Sequence, residues 1–154
     1  MSKIQAYVAG WLSHREALLD LLDVVSDEQL SYKPWEKGMS FAELAQHVSG
    51  ATLMFVKIVK TGSYTPSSAP PQKASSVEEL RAIVKEQTEE TKALLESIAP
   101  EQLDDIVDFN GMKMPGAAML DMAKEHEIHH KGQLFTYARA AGIEKVPFFI
   151  HRSA

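Results

Sequence analysis

The histidines offer the clearest chemistry in this chain of 154 residues, because three of its six histidines lie in the segment HEIHH at 126–130. On a helix, His126 and His130 are four residues apart and share one face, so both imidazoles can bind a single ion. Zinc, nickel and iron accept imidazole nitrogen, and a reactive zinc site has three protein ligands and one position for water. We therefore predict that His126 and His130 are a metal-binding pair, with His47 as the best candidate for a third ligand.

Each histidine also has a structural interpretation. A pair at this spacing can lie on a solvated helix surface, and a single histidine on an apolar face is more often a core residue with satisfied hydrogen bonds. His129 is turned by about 100° from its neighbours on the helix, so we expect it not to be a ligand. His14 is a candidate for a polar pocket beside the first helix, and we expect His151 to be exposed.

The same segment matches the H-E-x-x-H pattern, in which Glu127 is the general base of a metalloprotease. The longer metzincin form is absent, since Gln133 stands in place of its glycine and Thr136 in place of its third histidine. Little in the sequence can supply the edge strand along which proteases hold an extended peptide. We rank proteolysis below another metal-dependent reaction, in which Glu127 is a base, a partner of the metal ligands or simply an exposed helix residue.

Further residues are candidates for the surroundings of the site. Gln133 continues the helix face of His126 and His130, and we predict that it orients a ligand as a substrate-binding residue or seals a helix contact. The helix phases also bring four apolar or aromatic residues near the histidine face, although such residues are more often ordinary core: Trp11, Met39, Met54 and Tyr137.

Apolar spacing predicts four long helices, over about residues 3–25, 41–60, 77–98 and 116–141. Ser40 and Ser76 precede glutamates at capping-box spacing, and Asn110-Gly111 predicts a hairpin before the fourth helix. The Ser- and Pro-rich stretch 61–75 reads as a loop long enough to cross the length of a helix. We therefore predict an all-α fold, a four-helix bundle in up-down-down-up order with a long crossover between helices 2 and 3.

Composition limits the class of protein. The length fits one domain over residues 1–154, and the chain has no cysteine and no segment resembling a signal sequence or a membrane span. With a net charge of −5 and scattered basic residues it is a poor nucleic-acid binder. We expect a cytoplasmic protein with a small-molecule substrate, without membrane or nucleic-acid partners. The tail VPFFIHRSA is apolar, so we expect it to pack against its own chain or against a second subunit in a homodimer.

Two motifs resemble the DinB-like family of metalloenzymes. One is H-x-x-x-H-[basic]-G-Q, present as His126, His130, Lys131, Gly132 and Gln133, and the other is FAELAQHVSG, where a capped second helix carries a histidine. The order of elements agrees over nearly the whole chain. The one departure is a lysine at 131, where arginine is common, which keeps the charge but loses the bidentate geometry.

The resemblance implies a four-helix bundle in up-down-down-up order, often dimeric, in which His47, His126 and His130 hold a divalent ion such as zinc or nickel. Some members of the family are thiol S-transferases that use bacillithiol or mycothiol, and others are glutathione-linked isomerases. We therefore expect an enzyme, a transferase or hydrolase that activates a low-molecular-weight thiol or water on the metal for attack on a small electrophile. The alternative is a non-catalytic bundle that binds metal or is purely structural.

Overall fold

The structure, a computed structural model, describes residues 1–152 and is mostly helical. Its four long helices are α1 (Lys3–Leu22), α2 (Phe41–Thr61), α3 (Val77–Glu96) and α4 (Gly116–Ala140). Two short strands, β1 (Ile106–Phe109) and β2 (Met112–Pro115), pair as an antiparallel hairpin directly before α4. The predicted helical fold and the hairpin are both confirmed, while residues 153–154 of the predicted apolar tail lie outside the described residues.

Local signals in the sequence account for where the helices begin. The Ser40 hydroxyl accepts a hydrogen bond from the Glu43 amide, and Ser76 caps α3 through the Glu79 amide in the same way. These caps satisfy amide groups that have no partner within the helix. At the other end, α2 stops at Gly62, whose φ of 97° is readily adopted only by glycine. Neighbouring residues thus determine where α2 begins. The helical pitch then sets the face of the helix on which each later residue lies.

The hairpin follows from two residues with positive φ, Asn110 at 51° and Gly111 at 89°. Such a pair matches the right-handed twist of the two strands that it joins. Phe109 pairs with Met112 across the turn, as the spacing predicts.

The predicted extent of α1 is wrong at its C-terminal end, because the helix stops at Leu22 instead of near residue 25. Val25 continues the apolar spacing of the helix, and it is buried, with 4% of its surface exposed. It nevertheless lies in the irregular segment after the helix. Burial alone does not distinguish the last turn of a helix from a chain that folds back onto the core.

The core consists of two apolar clusters with a polar layer between them. One cluster gathers around Leu18, Phe41 and Leu134, and the other around Trp11 and Phe55. Helix α1 packs against α3 and α4, and α2 packs against the same two helices. Between the clusters, each helix contributes one residue to a buried hydrogen-bond network: Arg15, Thr52, Thr88 and Glu127. No helix within residues 1–152 has the length and apolar character needed to cross a membrane.

Gly116, the first residue of α4, is required for close packing. A Cβ atom at this position would lie 2.4 Å from the backbone oxygen of Gln102 and 3.1 Å from a methyl group of Val59. Because a backbone atom cannot move aside as a side chain can, we expect Gly116→Ala to lower the free energy of unfolding by about 1 to 3 kcal/mol. Urea denaturation followed by circular dichroism measures this change.

Gly132, inside the same helix, is the matched control. A Cβ atom there would meet nothing within 4 Å. Alanine favours a helix interior by roughly 0.5 to 1 kcal/mol over glycine, so Gly132→Ala should stabilise the protein. Equal stability of the two variants would contradict the close packing at Gly116.

Candidate metal centre

Helices α2 and α4 bring three histidine side chains together. His47 lies in the first half of α2, and His126 and His130 lie one turn apart in α4. The helices pack directly against each other. Each of the three side chains is half-buried, and each offers one nitrogen within 4.8 Å of the nitrogens of the other two. The structure thus brings together the three residues that the sequence suggested as ligands, and the cluster is compatible with a metal ion.

The distances within this group fit a shared ion. The Nε2 atoms of His47 and His126 are 3.2 Å apart. Two imidazole nitrogens bound to one tetrahedral ion at ~2.0 to 2.1 Å lie ~3.3 Å apart, so this pair needs little rearrangement. The His130 ring centroid lies 4.4 Å from that of His126 and 5.1 Å from that of His47. Because the nitrogens belong to three residues, a tetrahedral ion would keep a fourth position for another molecule.

The protonation states of His47 and His126 also favour the binding of a metal cation. Burial, with a smaller effect from the neighbouring His130, lowers the pKa of His47. The same two causes, burial first, lower the pKa of His126 to about 4. These two imidazoles are therefore neutral at pH 7, and neutral imidazole is the form that binds a metal. Protons do not have to be displaced from them before an ion can enter.

Gln133 sets the orientation of His130. The Oε1 atom of Gln133 lies 2.7 Å from Nδ1 of His130 and can only accept, so Nδ1 carries the proton. That tautomer leaves Nε2 of His130 with a free lone pair. In contrast, Nδ1 of His126 is buried without a hydrogen-bond partner among the described residues. His130 thus has a supporting contact of the kind that metal-binding histidines usually make, and His126 does not.

Glu127 lies outside the histidine cluster. Its carboxylate is fully buried, which corrects the interpretation of Glu127 as an exposed helix residue. It accepts two hydrogen bonds from Arg15, at 2.7 and 2.8 Å, one from the indole of Trp11 at 2.9 Å and one from the Thr52 hydroxyl at 2.8 Å. A role as general base stays a prediction from the motif alone, since these contacts favour a structural role.

Arg15 is the partner that sequence reasoning missed. It interrupts the apolar spacing of α1, and the structure buries it completely against Glu127, with Nη1 donating to the Thr88 hydroxyl at 2.9 Å. The available signal was the arginine itself, because a basic residue on a buried face requires an acidic partner. The sequence does not indicate which of the 21 acidic residues that partner is.

Lys131 holds the C-terminal tail in place. The side chain is buried rather than at the helix surface, and its ammonium group donates to the carbonyl oxygen of Phe149 and lies 2.8 Å from Nδ1 of His14. His14 is thus part of a polar contact, as its position suggested. The tail is also held by His151, whose Nδ1 lies 2.7 Å from the Asp20 carboxylate. The residue is half-buried, which corrects the expectation that His151 is exposed.

The remaining candidates are spread over different environments. His129 is exposed and is not in the three-histidine group, as its angle on the helix predicts. Trp11 is a core residue, whereas Met39, Met54 and Tyr137 line cavities. Met39 shares a cavity with His47, and Tyr137 shares one with Gln133. Met54 lines a separate cavity that contains none of the three histidines.

Comparisons with known proteins agree on one family. The model of the DinB family matches residues 1–153. The uncharacterized protein YjoA of Bacillus subtilis is 37% identical over 155 residues, covering 99% of both chains. The crystal structure of that DinB-like protein matches 96% of this chain and 99% of its own at a TM-score of 0.84.

Two more distant structures share the fold. A DinB-like protein from Bacillus cereus is 22% identical, with a TM-score of 0.78 over 93% of this chain and 95% of its own. The mycothiol-dependent maleylpyruvate isomerase is 13% identical, with a TM-score of 0.64 over 96% of this chain and 66% of its own. Since the family model and the B. subtilis relative both cover essentially the whole sequence, this chain belongs to the DinB family.

Proposed function

We propose that this protein is a metal-dependent enzyme that activates a thiol or water for attack on a small electrophilic substrate. The observation that carries the proposal is the convergence of the nitrogens of His47, His126 and His130 within 4.8 Å. Three ligands with a remaining position are typical of catalytic zinc sites, whereas structural zinc sites are closed by four protein ligands. We propose zinc or nickel as the ion, since both are among the metals that imidazole ligands suit.

The residues around the ion would have distinct roles. His47, His126 and His130 would hold it, and Gln133 would keep His130 in the required tautomer. Imidazole binds a metal in its neutral form, so a divalent ion held by three histidines would keep its full charge and lower the pKa of a thiol or water that binds beside it. The buried pair of Arg15 and Glu127 would hold α1 and α4 together next to the site.

Two cavities flank the histidines and offer room for substrates. One, of about 400 Å³, is lined by His47, Met39, Gln46, Lys73 and Gln87. The other, of about 450 Å³, contains Gln133. Both volumes lie within the range of small-molecule sites. A larger cavity of about 880 Å³ lies between the start of α1 and the end of α3, and it contains none of the three histidines.

A low-molecular-weight thiol is the co-substrate that we propose. The support is the shared fold with the mycothiol-dependent maleylpyruvate isomerase, although at 13% identity the likeness concerns the fold alone. The polar lining of the His47 cavity, with Lys73, Glu43 and three glutamines, offers partners for the amide and charged groups of such a thiol.

We also infer that residues 1–154 form one domain, a four-helix bundle in up-down-down-up order. Successive contacts between α2 and α3 advance in the same direction along both helices, as do those between α1 and α4. The contacts are Lys57 with Glu90 and Lys60 with Ser97 for the first pair, and Trp11 with Glu127 and His14 with Lys131 for the second. A homodimer stays a prediction, motivated by the exposed Phe148 and Phe149.

Metal analysis and a thiol screen test the proposed function together. The purified protein should carry about one zinc or nickel ion per chain. The loaded protein should accelerate the reaction of a low-molecular-weight thiol with 1-chloro-2,4-dinitrobenzene, and chelation should remove the acceleration. Stoichiometric metal without any such activity, over a broad set of thiols and electrophiles, would favour the non-catalytic alternative.

Gln133 provides a finer prediction. We expect Gln133→Ala to weaken metal binding by ~10- to 100-fold, because His130 then loses the contact that fixes its tautomer. Competition with a chromophoric chelator measures the affinity. Gln133→Glu, which keeps an acceptor for the His130 proton, should retain wild-type or stronger binding. Equal affinities of the alanine variant and the wild type would contradict the role of Gln133.

A further inference from the structure

A cleft lined by aromatic side chains lies beside the histidine cluster. It has a volume of about 450 Å³, and its walls include Tyr32, Pro34, Trp35, Gln133, Thr136 and Tyr137. The rings of Tyr32 and Tyr137 meet edge to face, with their centroids 5.6 Å apart. No acidic side chain, lysine or arginine is among the described residues that line this aromatic cleft.

Trp35 is the feature that makes the cleft unusual. Its side chain is large and apolar, yet 61% of the residue surface is exposed. The indole nevertheless packs closely on the backbone of Gly38, since a Cβ atom at residue 38 would lie 2.8 Å from Cε2 and 3.0 Å from Cδ2 of the ring. The Gly38 amide also donates to the Trp35 carbonyl oxygen at 3.0 Å. Contact with the Gly38 backbone thus restricts the indole while most of the residue stays exposed, which reduces the entropy lost when a ligand binds there.

The lining defines the class of ligand. Tyrosine and tryptophan rings stack favourably on a flat aromatic group. The walls also include the imidazole of the exposed His129, but they offer no lysine or arginine to pair with an ionised ligand, which favours an uncharged one. Oε1 of Gln133 is occupied by His130, so the amide NH2 of Gln133 remains available to donate to an acceptor on the ligand. We propose that the aromatic cleft binds an uncharged aromatic group that carries a hydrogen-bond acceptor, such as a carbonyl oxygen.

Two contacts place this group next to the metal centre. Gln133 lines the aromatic cleft and contacts His130 at 2.7 Å. On the other side, the Tyr137 hydroxyl donates to the carbonyl oxygen of Met39 at 3.3 Å, and Met39 lines the His47 cavity. The binding of the aromatic group does not depend on a metal, since none of the three histidine ligands lines the cleft. The identification of this aromatic group as part of the electrophilic substrate, in contrast, rests on the proposed function.

The two tryptophans allow a direct test with acetophenone as the probe. The Trp35 indole N–H signal in a nitrogen–proton correlation spectrum should shift saturably as acetophenone is added to the metal-free protein. The Trp11 signal is an internal control, because that indole is buried and donates to Glu127. Cyclohexyl methyl ketone, which has the same acceptor but a saturated ring, and benzoate, which is charged, should each bind more weakly.

Two variants test the role of the indole. Trp35→Ala removes the ring, and Gly38→Ala displaces it without changing a residue that lines the cleft. Because an aromatic pair adds a modest energy beyond its buried area, each should weaken acetophenone binding about threefold to tenfold, measured by ligand-observed NMR. Unchanged affinity in both variants would overturn the proposal.

Other outcomes separate this proposal from the function proposed above. Failure of acetophenone to move the Trp35 signal, in a protein that binds metal and catalyses thiol transfer, would overturn the cleft alone. Saturable binding in a protein that never takes up a metal would leave the cleft standing and refute the metal-dependent function. A Trp35 signal that shifts with protein concentration and no probe would place a second copy of the chain in the cleft, and that result also overturns the proposal.

Discussion

His126→Ala should no longer bind a divalent ion stoichiometrically, and His47→Ala should behave in the same way. Each variant removes one of three nitrogens that lie within 4.8 Å of one another. We expect the affinity for the metal to fall by at least ~100-fold. Loss of a residue that only hydrogen-bonds to a metal ligand already costs ~10- to 100-fold in affinity, and loss of the ligand itself should cost more. Calorimetric titration of the metal-free proteins with zinc and nickel measures the change.

His129→Ala is the matched control for these variants. His129 lies between the two α4 ligands in sequence but is exposed and outside the group. An ion at one hundred times its dissociation constant stabilises a protein by about 2.7 kcal/mol, which thermal melting detects. This stabilisation should appear in the wild type and in His129→Ala, and be absent from His126→Ala. Retention of one ion per chain by both the His47 and the His126 variants would refute the three-histidine centre.

Glu127→Gln is expected to lower the free energy of unfolding by about 3 to 5 kcal/mol, the cost of removing one partner from a buried ion pair. The variant leaves the guanidinium of Arg15 charged in an interior where both side chains are fully buried. Urea denaturation of wild type and variant measures the loss. The double replacement Arg15→Met with Glu127→Met should recover part of the stability because it leaves no unpaired charge, although the Trp11 N–H loses its acceptor.

Glu125→Gln is the control for the charge, because Glu125 is an exposed acidic residue two positions away on the same helix. We expect its effect to stay within about 0.5 kcal/mol, as for most surface substitutions. A Glu127→Gln protein as stable as wild type would contradict the structural role and favour a general base. Cleavage of unfolded casein in the presence of metal, abolished by the same substitution, would establish the H-E-x-x-H protease interpretation.

Some features of this protein follow from short stretches of sequence because a few neighbouring residues decide them. The cap at Ser40 needs only the Glu43 amide, and the hairpin needs only the positive φ angles of Asn110 and Gly111. The shared face of His126 and His130 follows from the pitch of one helix. These features were predicted correctly for the same reason, since no distant contact is needed to determine them.

The surroundings of Glu127 could not be predicted in this way. Its main partner, Arg15, is 112 residues away in the sequence. The pattern H-E-x-x-H places the glutamate next to a metal-binding histidine, but a rotation of about 100° per residue turns it toward a different neighbour. Here that neighbour is α1, so the carboxylate enters the polar layer between the two apolar clusters. Whether a helix residue is exposed or buried depends on which helices surround it.

The helices, the hairpin and the histidines capable of binding metal can be recognised in the sequence alone, because caps, turns and helical periodicity act over a few residues. The packing of distant segments was needed to bring His47 to His126 and His130, to pair Glu127 with Arg15, and to place Trp35 and Gln133 in the walls of one cleft. Each of these arrangements joins segments that are far apart along the chain, and the packing of α1, α2 and α4 and the path of the intervening loops set the distances between them.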